Sequence, residues 1–282
     1  MKYDVVVIGG GPAGSTVATL VAAAGYRVVL FERETSSQFQ VGESLMPGTY
    51  WTFQRLGMLD KLRQSAFPKK FSVQFYGRSG RASAPFYFRD NDPHESSMTW
   101  QVLRSEFNQL MLDNARDRGA QVVEGAAVRE VLFDDVPSAR ERCAIGVVAS
   151  MPDGSTGQFD ASVTVDASGQ SALIARRLQI KEVEPHLKKA SVYTHFEGGV
   201  RDSGDDEGAT LIMQTAQGDS WFWYIPLPND CVSVGVVGSL DYLLQSRSAD
   251  AQTIFEEELE LCEPLAARLA QARQLFPVKV TK

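Results

Sequence analysis

Residues 3–33 read YDVVVIGGGPAGSTVATLVAAAGYRVVLFER, and the order of residue types in that stretch decides the fold. Tyr3 to Ile8 is a short run dominated by β-branched residues, the composition of a buried strand rather than a helix. Gly9, Gly11 and Gly14 follow at once in G-x-G-x-x-G spacing, with Pro12 and Ala13 before the third glycine. From Pro12 the pattern turns helical through Ala18, Leu20 and Val21 to Gly25, a helix stop. Val28 to Phe31 then reads as a second strand ending at Glu32. Strand, tight turn, helix, strand and terminal acid make a dinucleotide cradle. The first glycine permits the turn, the second lets backbone N–H groups approach a pyrophosphate, and the third packs helix on strand. The helix N-terminus favours the phosphates. Glu32 is placed to accept from a ribose hydroxyl and would repel a 2′-phosphate.

Working outward, 282 residues suffice for one large or two ordinary domains, and a 44% hydrophobic content marks a globular chain. A net charge of −7 argues against a general nucleic-acid or membrane-surface binder, which needs a basic face. No apolar run approaches membrane-spanning length, and the first apolar segment is the nucleotide strand itself, so neither membrane insertion nor a secretory signal is expected. Cys143, Cys231 and Cys262 are scattered without metal-ligand spacing; they fit a reducing cytoplasm and read as small hydrophobes. His94, His186 and His195 are equally dispersed, and no metal site is expected.

Further along, a helix is expected over Thr49 to Gly57 and sheet strands at Lys69 to Tyr76 and Ala84 to Phe88. Ser105 to Arg118 reads as a helix with Ser105 as N-cap, an apolar stripe of Phe107, Leu110, Met111 and Ala115, and Gly119 as its stop. Val122-Val123 returns to the nucleotide sheet. Strands at Val128 to Phe133, Ala144 to Met151 and Gln158 to Val165 form a meander that would cap the nucleotide domain, the last two joined by a Pro152–Ser155 turn. A second β-rich region runs from about 190 to 239, split by the glycine- and acid-rich loop Arg201 to Gly208. Ala251 to Gln274 reads as helix, broken at Pro264, and Phe276 to Lys282 begins like a strand.

Val165-Asp166-Ala167-Ser168-Gly169 ends a strand in a turn where glycine allows close backbone approach; Asp166 is suited either to a ribose or ribitol hydroxyl or to capping the next helix. With the N-terminal fingerprint, this turn resembles that of the FAD proteins built like the aromatic hydroxylases. Val102-Leu103-Arg104-Ser105-Glu106-Phe107 is similar to that group's V-x-R-x-x-F, which implies that Arg104 reaches the cofactor. Trp221-Phe222-Trp223-Tyr224-Ile225-Pro226 matches W-x-W-x-I-P, the signature of flavin-dependent halogenases. On a strand Trp221, Trp223 and Ile225 face one side, and the resemblance implies a wall of two indoles between flavin and substrate. Lys70 and Phe75 match K-x-G-x-x-F, although Ser72 stands where glycine is usual and Lys69 remains an alternative. Gly42-Glu43-Ser44 with Pro47 is similar to the G-E-S-x-x-P loop that lies by the flavin ring.

The expected fold class is therefore α/β with α+β elements: a Rossmann-like FAD-binding domain with an inserted β-meander, and a second, antiparallel β-sheet substrate domain. The expected boundaries are 1–180, with inserted strands at 67–90, and 181–282. The resemblance implies cofactor contacts from Gly9, Gly11, Pro12, Ala13, Gly14, Glu32, Arg33, Glu43, Ser44, Arg104, Val128, Asp166 and Gly169, and catalytic roles for Lys70, Trp221 and Trp223. It implies FADH2 from a separate flavin reductase, O2, and chloride or bromide. Hypohalous acid made from these passes to Lys70 and halogenates an electron-rich phenol, pyrrole or indole, free or on a carrier protein. The alternatives are a hydroxylase or geranylgeranyl-reductase-like oxidoreductase, or an inactive FAD-binding protein. The last arises because the group's G-D-A turn and halide-site loop, expected beyond a segment like Phe276 to Lys282, are not in this sequence.

Overall fold

The computed structural model describes residues 2–35, 39–134, 142–216, 220–247 and 249–282. In chain order the elements open with β1 (Lys2–Ile8), α1 (Pro12–Ala23), β2 (Val28–Glu32), α2 (Thr49–Leu56) and α3 (Leu59–Arg63). The short strands β3 (Lys69–Lys70), β4 (Ser72–Tyr76), β5 (Phe86–Tyr87) and β6 (Thr99–Trp100) precede α4 (Arg104–Asp117). Next come β7 (Gln121–Glu124), β8 (Ala127–Phe133), β9 (Ala144–Ser150), β10 (Thr156–Asp166) and α5 (Leu173–Arg177). The remainder is β11 (Lys189–Glu197), β12 (Thr210–Gln214), β13 (Ser220–Pro226), β14 (Cys231–Ser239), α6 (Ala251–Glu260), α7 (Glu263–Leu269), β15 (Arg273–Gln274) and β16 (Lys279–Thr281). Among the described residues no helix is long and apolar enough to cross a membrane.

Two compact units divide the chain: residues 1–40 with 104–183, and residues 41–103 with 184–282. The first holds a six-stranded sheet in the order β7-β2-β1-β10-β9-β8. Its β1 pairs parallel with both β2 and β10, so it needs apolar residues on both faces. Val5 and Val7 pack on one side with Ala18 of α1 and Leu112 and Ala115 of α4; Val6 and Ile8 pack on the other with Phe31, Val131 and Val147. The expected meander is a correction: β8, β9 and β10 extend this sheet edgewise instead of capping it, because β10 is itself the parallel neighbour of β1. The helix expected from Ser105 begins one residue earlier, at Arg104, so Ser105 lies in its first turn and is not its cap.

The second unit holds an eight-stranded sheet, β15-β11-β14-β13-β12-β4-β5, with β16 also on β11. Residues 67–90, expected as an insertion in the first domain, belong here because β4 pairs in parallel with β12, Val73 opposite Thr210 and Phe75 opposite Ile212. Phe196, Phe222, Tyr224, Val234 and Val236 cover one face of this sheet and pack against Ile254, Phe255 and Leu265 of α6 and α7. Pro264 lies in the first turn of α7, where its missing N–H costs nothing, but Arg273–Gln274 is strand, not helix. Cys231 and Cys262 are buried, whereas Cys143 is exposed, contrary to the expectation for all three.

The acid-rich loop near residues 202–206 is pinned acid by acid: Arg268 holds Asp202, Arg89 holds Asp205, and Ser72 and Tyr87 donate to the two carboxylate oxygens of Asp206. Ser72 is fully buried, and its hydroxyl bond to Asp206 (2.9 Å) accounts for a serine where the halogenase pattern has glycine.

A Cβ on Gly14 would land on the carbonyl of Gly9, and backbone cannot move aside as a side chain can, whereas a Cβ on Gly11 would meet nothing within 4 Å. Gly14→Ala is therefore expected to cost about 1–3 kcal/mol and Gly11→Ala less than about 0.5 kcal/mol, measured by urea denaturation; equal losses would contradict this packing.

Candidate active site

In the first unit the cradle is built from backbone. Gly9 turns the chain at φ +101°, a conformation that side-chain-bearing residues rarely adopt. A Cβ there would lie 2.5 Å from the carbonyl oxygen of Ala167. That neighbour belongs to the turn after β10, held against β1 by Ala167 N–H donating to the Ile8 carbonyl (2.9 Å). Helix α1 starts at Pro12 with no side-chain cap and no acid in its first turn, and Gly11 presents open backbone. Uncapped N–H groups at the positive end of a helix, beside a glycine without neighbours, suit a pyrophosphate. Glu32 accepts from Gly10 N–H at 2.6 Å and from Glu34 N–H at 3.0 Å, so its carboxylate holds the glycine loop and stands beside it.

The other expected cofactor residues divide. Asp166 takes the capping role: it accepts from Ser168 N–H and Oγ and from Ile174 N–H, and these bonds shape its own turn. Gly169 adopts φ +60°, which that turn requires. Arg104 opens α4, and its Nε donates to Asn108 Oδ1 at 3.3 Å. Arg33 is exposed and paired with Glu34. Val128 lines a cavity of about 550 Å³ together with Leu173, Arg129, Arg176 and Arg177.

In the second unit the two candidate lysines separate. Lys69 is exposed, while Lys70 is 2% exposed. The Lys70 Nζ donates to Ser44 Oγ (2.9 Å) and to the Leu45 carbonyl (3.2 Å), and it lies 5.4 Å from the ring centre of Phe88. Burial alone pushes its amine down to about 8. Ser44 is bonded in turn to Thr210 Oγ1 (2.9 Å), which accepts from Gln101 Nε2 (2.9 Å), and Gln101 also donates to the Gly208 carbonyl. Glu43, assigned with Ser44 to the cofactor, has its Oε1 on His195 Nε2 at 2.8 Å, both side chains 2% exposed.

The indoles stand where the alternation placed them, on the face of β13 opposite the Phe222–Tyr224 core. They are not equivalent. Trp223 is 9% exposed, and its Nε1 donates to Ser233 Oγ (3.0 Å). It sits on Gly235, where a Cβ would overlap the ring, and tilts against Tyr193 at 6.0 Å. Trp221 is 38% exposed. Register puts Ile225, Ser233 and His195 in one row across the sheet, with Thr210 one step beyond the Leu211–Tyr224 pair. Glu43 and Ser44 thus fasten to the two ends of a single row. Sequence reasoning assigned no role to His195, Thr210, Ser233 or Gly208. Only the Glu43-Ser44 pair carried a signal, through the motif around it.

A family model for the FAD binding domain matches residues 2–258. The 1H-pyrrole-2-carbonyl-[peptidyl-carrier protein] chlorinase of Pseudomonas fluorescens is 29% identical over 98% of this chain and 64% of its own length. The solved myxobacterial chondrochloren halogenase is 30% identical, with a TM-score of 0.88 over 100% of this chain and 64% of its own. A solved flavoprotein/dehydrogenase from Cytophaga hutchinsonii is 26% identical, with a TM-score of 0.85 over 99% of this chain and 66% of its own. The chain thus spans about two thirds of the length of these proteins.

The buried amine carries a stability signature. Its folded value, about 8, lies below the ordinary 10.5, so between those limits the unfolded chain binds more protons and stability rises with pH. The penalty is fully present below pH 8. Lys70→Met removes it, so the stability of the variant relative to the parent should fall by about 2–3 kcal/mol between pH 7 and 10. A pH-independent difference in chemical denaturation would mean a solvated amine.

Proposed function

This chain belongs to the family of FAD-binding domains, and from that premise we propose that it carries the cofactor cradle and the oxidant-delivering amine of a cytoplasmic flavin-dependent halogenase. The proposed substrate is an electron-rich phenol, pyrrole or indole, free or tethered to a carrier protein, and a separate flavin reductase supplies reduced cofactor. The observation that carries this reading is the state of Lys70: a lysine taken out of water, its amine aimed at two acceptors on consecutive residues, Ser44 and Leu45.

The residues proposed to hold FAD are the Gly9–Gly14 loop and the start of α1 for the pyrophosphate, with Glu32 for a ribose. By resemblance, Arg33, Arg104, Val128, Asp166 and Gly169 complete the set in the first unit, and Glu43 and Ser44 are assigned from the second. Bound and reduced, FAD supplies, with O2 and chloride or bromide, a two-electron-oxidised halogen as hypohalous acid. Lys70 then holds that halogen. With its amine near 8, neutral and protonated forms coexist at neutral to mildly basic pH. The neutral amine takes the halogen (R–NH2 + HOX → R–NHX + H2O) and passes it to a ring carbon, whose proton returns to nitrogen. Alternatively, the ammonium donates to the hypohalous oxygen and makes the halogen more electrophilic. Ser44 and Leu45 fix the direction of the amine, and the pinned Trp223 ring is a rigid wall that excludes water.

With FADH2, O2, bromide and a phenol panel or monochlorodimedone, the whole protein is expected to give halide-dependent product that disappears in Lys70→Ala while flavin oxidation continues. NAD(P)H-driven hydroxylation or alkene reduction without halide would overturn the reading in favour of another oxidoreductase. Gly11→Ala should weaken FAD binding tenfold or more, measured by fluorescence titration, with little change in stability, since its methyl group occupies only the open side of the loop.

A further inference from the structure

We infer that His195 is a positioning residue for the Lys70 amine: through Glu43 it fixes the short segment on which that amine rests. Both acceptors of the amine, Ser44 Oγ and the Leu45 carbonyl, lie on consecutive residues outside any helix or ladder strand; a single bridge joins Ser44 to Gln101. Besides the two from the amine, four hydrogen bonds among the described residues hold this segment. Val102 N–H donates to the Glu43 carbonyl (2.7 Å) and Leu45 N–H to the Trp100 carbonyl (3.1 Å), which tie it to residues 100–102. The Ser44–Thr210 bond and the Glu43–His195 bond tie it to the large sheet.

Of these, the His195 bond is the one whose loss the segment cannot absorb. The Glu43 carboxylate is almost entirely out of water, and a buried carboxylate without its donor pays its full desolvation cost. Relief requires Glu43 to turn toward water, and Ser44 and Leu45 are the next two residues along the chain. The imidazole itself is well placed to serve as a fixed post. It lies on β11, mid-ladder opposite Ser233, with the Phe276 ring edge-on at 5.8 Å and its own carbonyl taken by Leu275 N–H. Around the amine, the partners are Ser44, Leu45 and the Phe88 face, and no carboxylate among the described residues pairs with it. Its protonation is therefore set by dryness, and the segment that His195 holds at one remove is what covers the amine, so loosening that segment admits water and lets the ammonium return toward its ordinary value. The inference concerns the amine alone and stands independently of the halogenation reading.

The test needs no flavin. In the chain labelled with [13Cε]lysine, the Lys70 resonance is identified by its absence in Lys70→Met, and its titration is followed by NMR. The parent midpoint is expected near 8. His195→Leu, which offers Glu43 no donor, should move it toward the ordinary 10.5, while His195→Gln, whose amide nitrogen mimics Nε2, should restore a value near 8. A His195→Leu midpoint equal to the parent's would overturn the inference, and so would an equal rise in His195→Gln. Should His195→Leu fail to fold, His195→Asn, polar but too short to reach Glu43, is read in its place with the same two outcomes.

Discussion

Removing a primary ammonium from water costs several kcal/mol unless the group is paired, hydrogen-bonded or neutralised, and much of the second unit answers that constraint at Lys70. Pairing is the remedy it does not use. Instead, the site combines dryness, which lets the amine shed its proton near pH 8, with two neutral acceptors and an aromatic face. Each acceptor needs its own support. Ser44 leans on Thr210, Thr210 on Gln101, and Gln101 on the Gly208 carbonyl. Gly208 in turn carries no side chain because a Cβ would land on the carbonyl of Lys69. A glycine is thereby tied to the amine through four polar links.

The first unit obeys a different constraint. Its cradle depends on backbone approaching backbone: Gly9 against Ala167, Gly14 against Gly9. Two turns, one after β1 and one after β10, lie side by side at the carboxyl ends of neighbouring parallel strands, where open α/β sheets bind ligands. Asp166 and Glu32 spend their carboxylates on the N–H groups of these turns. Their contribution to any ligand begins with holding the loops in shape.

What the sequence made legible follows from how local each signal is. The strand–glycine–helix–acid pattern lies within 33 consecutive residues, so the cradle could be read directly. The alternation in W-x-W-x-I-P likewise placed both indoles on one face of β13, whatever its neighbours were. Strand partnership is non-local, and there the reading failed. Nothing in residues 72–76 announces a parallel partner at 210–213, and nothing in 156–166 distinguishes a cap from the fourth strand of the main sheet. Lys69 and Lys70 are indistinguishable by type, and only the β3–β6 pairing decides which one turns inward. His195 had no local signal at all, because its partner lies 152 residues away in a loop.

The unequal indoles bear on how the proposed wall would work. A barrier to a reactive oxidant has to be rigid where the oxidant passes, since a mobile ring admits water and is itself oxidisable. Trp223 meets that demand in three ways: a hydrogen bond from its only polar atom, a glycine seat that fits the ring, and Tyr193 alongside. Trp221, one alternation further along β13 and more than a third exposed, opposes Gln214 and Val237 and has none of these restraints among the described residues. The same motif thus places one ring in a fixed seat and the other on open surface. The Ser233 that fixes Trp223 also pairs with His195 in the ladder. The acceptor that fixes the Trp223 ring and the His195 imidazole therefore share one row of the sheet, and displacing that row would loosen both together.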